Sequence, residues 1–252
     1  MKKRIFWKAP HLFLLALLFL STAYITQAQT DSLNQDEAVE YVEEGGRVYI
    51  LDLNFTIANG MGMFGENLGN VLPGFTLASL WQLQDEKPGF LGFKYAYMHH
   101  SAYIYEYTAV VGPDLVEFDS RTSSNMMDLL ANYRFYAPRR IFGVDPYIDF
   151  LLGVKFLYTY TNDVAIDGGP GGDFSIDEFS VSPSYGVGFG VHIPVKDGYY
   201  INAKTSIMNG LSTDYWVKDP DPGFISDSRN AFLPKSSPIN LLQFELGMAF
   251  LY

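Results

Sequence analysis

Large apolar side chains recur at every second position through eight separate segments of this chain, and this period constrains the fold most. In "RVYILDLNFTIANG" the odd positions from Tyr49 to Ile57 are large and apolar, whereas Asp52, Asn54 and Thr56 occupy the other phase. Successive side chains of a β-strand point to opposite faces. The period therefore predicts a strand with one apolar face and one polar face.

Seven further segments repeat this alternation and are predicted as strands. No helical pattern of useful length interrupts the series. The chain is therefore predicted to be all-β, with eight amphipathic strands. After the first, the predicted strands lie at about residues 73–83, from 90 onward, 124–136, 147–160, 181–195, 199–208 and 242–252.

The connections between the predicted strands alternate between short and long. The short ones are "QDEKPG", "APRRIFGVDP" and "KDG". The long ones are rich in Gly, Asp, Asn and Ser, and they cover residues 59–72, 108–123, 161–180 and 209–236. Antiparallel neighbours joined in sequence place alternate connections at opposite ends of the array. We therefore expect four long loops to be displayed at one end and both termini to lie at the other.

Two architectures accommodate eight such strands, and they differ in where the apolar face points. A soluble lipocalin-like barrel buries that face, whereas a membrane barrel turns it toward lipid and keeps the polar face inside. Aromatic residues make up 16% of the chain and charged residues only 18%, which is unusual for an aqueous domain. Tyrosines also cluster where strands should leave a bilayer, at Tyr103, Tyr105 and Tyr107 and at Tyr158 and Tyr160. This favours an all-β, eight-stranded antiparallel up-and-down transmembrane β-barrel.

The polar phase of the predicted strands carries four acids and four bases, and we expect them to pair inside the barrel. The interior of an eight-stranded barrel is just wide enough to be filled by side chains, which disfavours a diffusion porin. A buried charge without a partner is costly, so a sealed polar interior requires such matching. The predicted network comprises Asp52, Lys94, Asp128, Arg134, Asp149, Lys155, Lys204 and Glu245.

The N-terminal segment indicates export. "MKKRIFWK" is a basic region, "LFLLALLFLSTAYI" is an apolar core and "TQAQ" offers a small-residue cleavage site, which is the pattern of a secretory signal peptide. We expect the signal peptide at 1–28, a short acidic periplasmic leader at 29–46 and the barrel at 47–252. A formal net charge of −11 disfavours nucleic acid as a partner, because phosphate binding needs a basic surface. The sequence holds no phosphate loop, zinc spacing or dinucleotide fingerprint, so no cofactor is expected.

The last predicted strand carries the most specific motif of the chain. It reads polar, any, glycine, any, any, aromatic, any, aromatic, with Glu245, Gly247, Phe250 and Tyr252 at the constrained positions. On this motif the region 47–252 resembles the small Gram-negative outer-membrane β-barrel proteins of the OmpA-barrel and OmpX type. The resemblance implies that this strand is an assembly signal for the barrel-assembly machinery, and that it closes the barrel against the first strand. It also implies an outer-membrane location with periplasmic termini, in contact with outer-membrane lipid and lipopolysaccharide.

The stretch "MHHSAY" carries the strongest enzymatic alternative. His99 and Ser101 are expected on the lipid-facing side of a strand, near the outer leaflet. They are similar to the His-x-Ser stretch of the lipid A deacylase barrels, which implies an esterase whose imidazole activates a hydroxyl. That family follows its Ser with Asn, whereas Ala102 stands here, and no acid is clearly placed as the third member. A polar rim at the membrane interface is the alternative, and no enzyme is predicted.

The segment "GGPGGDFSI" partly matches a calcium-binding nonapeptide. Asp167, Asp173 and Asp177 would be its candidate ligands. Ser175 stands where the repeat needs a large apolar residue, and the motif occurs once rather than in tandem. A flexible acidic surface loop is therefore the preferred interpretation, with no metal site.

The sequence thus predicts a non-enzymatic outer-membrane barrel with a structural or adhesive role. A fold of this kind does not determine its own function. An extracellular ligand or protein partner is expected to bind at the long external loops.

Overall fold

The computed structural model describes residues 47–84, 87–166, 172–223 and 226–252. The predicted signal peptide and leader lie outside the described residues. Within them, no helix is long and apolar enough to cross a membrane. The elements are β1 (Tyr49–Met61), α1 (Met63–Leu68), β2 (Val71–Gln82), β3 (Gly89–Val111), β4 (Asp114–Tyr136), β5 (Asp145–Ala165), β6 (Asp173–Lys196), β7 (Tyr199–Gly210), β8 (Ser212–Lys218), a 3-10 turn (Ser228–Ala231), β9 (Phe232–Pro238) and β10 (Asn240–Leu251).

Eight of these strands form a closed barrel. The order around the ring is β1-β10-β7-β6-β5-β4-β3-β2, and every neighbouring pair is antiparallel. The ring closes between β1 and β10, from Ile50 opposite Leu251 to Met61 opposite Asn240. The predicted eight-stranded up-and-down fold is confirmed, and β8 and β9 form a separate two-stranded sheet.

The apolar phase of the strands points outward and the polar phase points inward. Phe55, Leu152 and Leu246 are exposed on the outer wall, whereas Asp52 and Asp149 on the alternate phase are buried. We call the outward apolar side chains of the eight strands the apolar band. A soluble barrel would bury this phase, so the arrangement is that of a barrel whose solvent is lipid.

Four barrel strands are nearly twice as long as the other four. β1, β2, β7 and β10 have 12 or 13 residues, which at about 3.3 Å per residue and 40° tilt span about 30 Å. β3, β4, β5 and β6 have 21 to 24 residues and extend roughly 25 Å farther on the same geometry. We call this extension, residues 99–111, 114–125, 158–165 and 173–183, the projecting sheet.

The projecting sheet corrects the prediction of long loops at 108–123 and 161–180. β3 and β4 are joined by a tight turn at Gly112 and Pro113, where Gly112 takes a φ of 66°, a conformation that glycine adopts without strain. β5 and β6 continue pairing up to Asp163 opposite Asp173. The polar residues of these segments therefore belong to strands rather than to loops.

The other two long connections fold into the barrel mouth, which corrects the prediction that they are displayed outside. Phe64 and Leu68 of α1 are buried, as are Tyr215 and Val217 of β8. They join inward apolar side chains of the wall in one cluster, which includes Leu72, Met98, Met126, Leu157, Met208 and Leu241. We call residues 63–68, 212–218 and 228–238 the cap, because they close this end of the interior.

A β-bulge in β3 changes which side chains face inward. His99 lies opposite Asn125, but the next paired residue is Ser101 opposite Ser124, so His100 is the extra residue. Beyond the bulge the phase is reversed. Tyr103 and Tyr105 pack inward against Ala231 and Phe232 of the cap, and Tyr107 stacks on the inward Phe118. The prediction of these three tyrosines as an outward interfacial girdle is therefore wrong.

Candidate functional site

A layer of charged side chains crosses the barrel interior, and Arg134 is at its centre. Arg134 Nη2 lies 2.8 Å from Asp52 Oδ2, and Arg134 Nε lies 2.7 Å from Asp149 Oδ1. The guanidinium also sits 3.8 Å from the ring centroid of Tyr147. All three charged side chains are fully buried, so these contacts act without competition from water.

The ion pairs continue from β5 around to β3 through two lysines. Lys204 Nζ lies 3.2 Å from Asp149 Oδ2 and 3.1 Å from Glu245 Oε2. Lys94 Nζ lies 2.6 Å from Glu245 Oε1. Six of the eight side chains of the predicted network thus form one chain of alternating sign: Asp52, Arg134, Asp149, Lys204, Glu245 and Lys94.

Asp128 and Lys155, the other two side chains of the predicted network, are buried but stand apart from this chain. They lie directly opposite each other on β4 and β5. Asp128 Oδ2 accepts a hydrogen bond from Gln243 Nε2 at 3.4 Å, and Lys155 Nζ has no hydrogen-bond partner among the described residues. The structure therefore brings together six of the eight residues and leaves one buried ammonium unpaired.

Apolar side chains close the interior on both sides of the charged layer. At the end that carries the short turns, Ile50, Leu80 and Phe90 are buried together. At the other end the cap leaves a cavity of about 10 Å³ between Leu72, His100 and neighbouring side chains, which is room for about one water. Over the described residues the interior is thus filled, as expected for eight strands.

Sequence reasoning did not single out the aromatic residues beside the charged layer. His192 Nδ1 lies 2.9 Å from the Tyr136 hydroxyl, and its Nε2 lies 3.6 Å from Asp52 Oδ1. The Tyr147 hydroxyl donates to Asn202 Oδ1. Strand parity was the available signal, because Tyr147, His192 and Asn202 share the inward phase of residues already assigned to the interior.

The structure does not bring His99 and Ser101 together. His99 faces outward and its Nδ1 lies 2.9 Å from Asn125 Oδ1. Ser101 lies beyond the bulge opposite the inward Ser124, and its Oγ is 3.5 Å from His100 Nδ1. The expectation that both side chains share the lipid-facing side is therefore corrected, since one extra residue reverses the phase between them.

The acidic residues of the partial calcium motif are engaged differently from a metal site. Asp177 accepts hydrogen bonds from Thr161 at 2.6 Å and Ser175 at 3.0 Å, and Arg229 Nε lies 3.0 Å from its Oδ1. Asp173 lies opposite Asp163 at the tip of the sheet, and Asp167 lies outside the described residues. No group of three potential metal ligands occurs in the described part of the chain.

The C-terminal motif forms the seam that closes the barrel. Glu245 belongs to the interior ion pairs, and Gly247 lies so close to Leu53 O and Asn54 Cα that an added Cβ would overlap them. Phe250 packs on the outer wall with its ring 5.7 Å from that of Tyr199. The backbone N–H of Tyr252 donates to Tyr49 O at 3.0 Å. Each constrained position thus has a structural contact at or beside the seam.

A closed ring of eight antiparallel strands, an outward apolar band and a sealed charged interior together define the small outer-membrane β-barrels. This chain has that fold. The conclusion rests on the direction in which the two phases point, which only a lipid solvent explains.

Comparisons with known proteins found distant similarities in structure. No family model matches the chain, and no curated protein matches it. Similar solved structures include Ail of Yersinia pestis with the heparin analogue sucrose octasulfate, at 14% identity and a TM-score of 0.37, covering 82% of this chain and 97% of that one. A major outer membrane protein from Thermus thermophilus is similar at 11% identity and a TM-score of 0.44, covering 82% and 100%. Neisserial surface protein A is similar at 12% identity and a TM-score of 0.35, covering 81% and 95%.

Proposed function

We propose that this protein is a non-enzymatic outer-membrane barrel that carries a rigid binding surface outside the cell and conducts no solutes. The termini and short turns face the periplasm in this proposal, and the projecting sheet faces outward. The single observation that carries the proposal is an apolar patch on the outer face of β5 and β6, beyond the apolar band.

The patch consists of side chains with no cover in the described structure. Phe174 and Ile176 are each 61% exposed, and Val164 and Ile166 are 51% and 49% exposed. The Tyr160 ring stands 5.5 Å from that of Phe174 and extends the patch toward the band. Contiguous exposed apolar surface of this kind marks interaction sites on proteins.

The adjacent half of the same outer face carries charged side chains at the same height, beside the exposed Ile104 opposite Arg121. Asp119 lies directly opposite Val164, and Arg121 lies opposite Asn162. Glu106 lies opposite Asp119 on the far side. Because β4 presents the charged Asp119 and Arg121 at the height where β5 and β6 present Phe and Ile, lipid surrounding the whole sheet does not account for the patch. A partner that covers the half formed by β5 and β6 accounts for the patch.

The cap contacts the inner face of the projecting sheet and fixes the conformation of the sheet. Ser228 Oγ lies 2.8 Å from Ser120 Oγ and 2.6 Å from Thr122 Oγ1. Arg229 Nη2 donates to Ser175 at 2.8 Å. A surface held by such contacts loses little conformational entropy when it binds, which favours affinity.

Attachment of cells to protein-coated glass tests the binding role. Cells expressing the protein should attach several-fold more than cells without it, and the double variant Phe174→Ser/Ile176→Ser should lose that gain because it removes the apolar contact. The control is Glu106→Gln/Thr108→Ser on the polar half of the sheet, which should attach like the wild type. Equal attachment by the wild type and the patch variant, at equal surface levels, contradicts the proposal.

Planar-bilayer recording tests the sealed interior. The purified barrel should add no steady conductance, because the charged layer and the cap fill its cross-section. Long-lived, reproducible channels from the folded protein would contradict this part of the proposal.

A further inference from the structure

We propose that the outer wall of β4, at the upper limit of the apolar band, binds a phosphate group of an outer-leaflet lipid. The site consists of Arg121, Ser123 and Asn125, which we call the wall site. The proposal uses the membrane location proposed above but does not depend on the apolar patch having a partner.

Asn125 presents an oriented hydrogen-bond donor without a protein acceptor. Its Oδ1 accepts from the Tyr97 hydroxyl at 2.8 Å and interacts with His99 Nδ1 at 2.9 Å. The donation from the Tyr97 hydroxyl to Oδ1 sets the orientation of the amide. Nδ2 therefore points away from Tyr97 and His99, and it has no hydrogen-bond partner among the described residues.

Ser123 adds a second free donor on the same face. It lies two residues from Asn125, and residues i and i+2 of a strand share a face. Ser123 is 1% exposed and Asn125 is 2% exposed, and the Ser123 Oγ also lacks a partner within the described structure. Buried donors without acceptors are rare and unfavourable, and here two of them occur together on the wall that faces lipid.

Arg121 supplies a positive charge at the next outward position of β4. Its side chain is exposed. None of the ion pairs formed among the described residues includes it. The acids of this face, Glu106, Glu117 and Asp119, lie farther from the band, so the cation is on the membrane side of them.

The height of the wall site matches the phosphate layer of a membrane. His99, which pairs with Asn125, is ten residues beyond the start of β3 at Gly89, or about 25 Å at a strand tilt near 40°. This equals the height of a lipid-facing apolar band. Tyr158 and Tyr160 lie opposite Asn125 and Ser123, as expected where a wall enters the headgroup layer.

The free groups of the site select the chemistry of the ligand. The Arg121 guanidinium and the Asn125 Nδ2 only donate hydrogen bonds, and the Ser123 hydroxyl can donate. A phosphate ester is anionic and offers several acceptor oxygens, and it forms its strongest hydrogen bonds with an arginine. A cation finds no free anionic ligand among these three side chains.

Native mass spectrometry of the purified full chain in detergent tests the proposal with defined lipids. The probes are bis-phosphorylated lipid A, its dephosphorylated form, phosphatidylglycerol and phosphatidylcholine. The wild type should retain lipid A, or both lipid A and phosphatidylglycerol, in preference to the dephosphorylated form. Retention of lipid A alone identifies the glycolipid as the source of the phosphate, and retention of both identifies a general phosphate site.

Three variants connect the binding to the wall site. Asn125→Asp keeps the acceptor for Tyr97 and His99 but replaces the free donor with an anion, and Arg121→Gln removes the charge. Each should weaken phosphate-lipid retention by about tenfold or more, the effect of losing one charge-assisted hydrogen bond. Arg121→Lys should restore part of it, and Arg139→Gln, an exposed arginine on the opposite end, should change nothing.

Heat-modifiable gel migration verifies that each variant is folded before lipid is added. Unchanged lipid A retention by folded Asn125→Asp and Arg121→Gln overturns the proposal. Equal retention of phosphorylated and dephosphorylated lipid A by the wild type overturns it as well. Neither result bears on cell attachment, so failure here is distinguishable from failure of the proposed binding role.

Discussion

Arg134 offers the sharpest test of the interior charge layer. Arg134→Met removes a guanidinium that contacts Asp52 at 2.8 Å and Asp149 at 2.7 Å, and methionine retains much of the side-chain volume. Asp149 keeps its contact with Lys204 at 3.2 Å. Among the described residues, Asp52 then keeps an ion-pair contact with His192 alone, at 3.6 Å. The variant therefore leaves a buried carboxylate at Asp52 without a close positive partner.

The expected loss follows from the burial of both partners. Removing one member of a buried ion pair costs about 3–5 kcal/mol, chiefly because the other charge stays buried and uncompensated. Asp52→Asn in the same chain removes that charge. The double variant should therefore be more stable than the sum of the two single losses by at least about 1 kcal/mol, since residues in one network couple.

Lys155 provides the matched comparison in the same layer. It is fully buried like Arg134, but its Nζ has no hydrogen-bond partner among the described residues. Lys155→Met removes a buried charge that forms no ion pair among the described residues, so it should lower the free energy of unfolding clearly less than Arg134→Met does. Guanidinium titration of the barrel in lipid vesicles, followed by tryptophan fluorescence, measures all four variants. A loss at Lys155 as large as that at Arg134 would refute the reasoning that pairing, rather than charge alone, stabilises the layer.

Three further predictions concern the seam and the cap. Gly247→Val should prevent the compact form on unboiled gels, because its Cβ would overlap the backbone of β1. Gly188→Ala should fold, because its Cβ would meet side-chain atoms alone, the nearest at 3.3 Å, and these can shift slightly. A compact Gly247→Val would contradict the close approach. If the C-terminal motif is the assembly signal, Phe250→Ala should lower the amount of protein in the outer membrane without lowering its synthesis. Immunoblots of fractionated cells measure both amounts. An outer-membrane amount equal to that of the wild type would contradict the role of Phe250 in assembly. Arg229→Gln removes the ion pair with Asp177 at 3.0 Å. A protease added to intact cells should therefore cut the cap faster in this variant. An unchanged rate of cleavage would show that the hydroxyl contacts of Ser228 alone keep the cap in place.

Strand parity explains how much of the barrel could be predicted from the sequence. In β1, β10 and the part of β4 outside the projecting sheet, where the pairing is regular, alternation places Asp52, Arg134 and Glu245 inside and Phe55 outside, as observed. The pairs themselves could not be predicted, because which acid meets which base depends on the stagger of strands around the ring. Parity alone therefore does not distinguish Lys155, which forms no ion pair among the described residues, from Lys204, which forms two.

The cap and the projecting sheet could not be predicted from the sequence, for two different reasons. α1 has 6 residues, too few for a helical period to be recognised, and its buried Phe64 and Leu68 sit among glycines that indicate a loop. In the projecting sheet, alternation continues, but the outward phase of β4 carries Glu117 and Asp119 instead of large apolar side chains. Polar composition therefore predicts a loop there, although pairing with β3 and β5 satisfies the backbone hydrogen bonds of this segment.

Two single-residue insertions decide which side chains the projecting sheet presents. In β3 the extra residue is His100, and in β6 it is Asp177, between Ile176 opposite Tyr160 and Glu178 opposite Thr159. Below the second insertion the odd residues of β6 face outward, as Phe179 and Val181 do. From Ile176 to the start of β6 the even residues face outward instead. Phe174 and Ile176 therefore lie on the outer face because of this bulge.

Deleting Asp177 should therefore remove the bulge and keep the phase of the β6 tip, because Ile176 then directly precedes Glu178 and stays opposite Tyr160. The wild-type chain contains no cysteine, so Ile176→Cys gives a single reporter for a membrane-impermeant maleimide on intact cells. We expect rapid labelling of this reporter both in the otherwise wild-type chain and after the deletion, since its side chain faces outward in both. Ser175→Cys, on the inward phase, should label slowly in both. Slower labelling of the Ile176 reporter after the deletion would contradict the assignment of Asp177 as the extra residue that sets the phase of the binding surface.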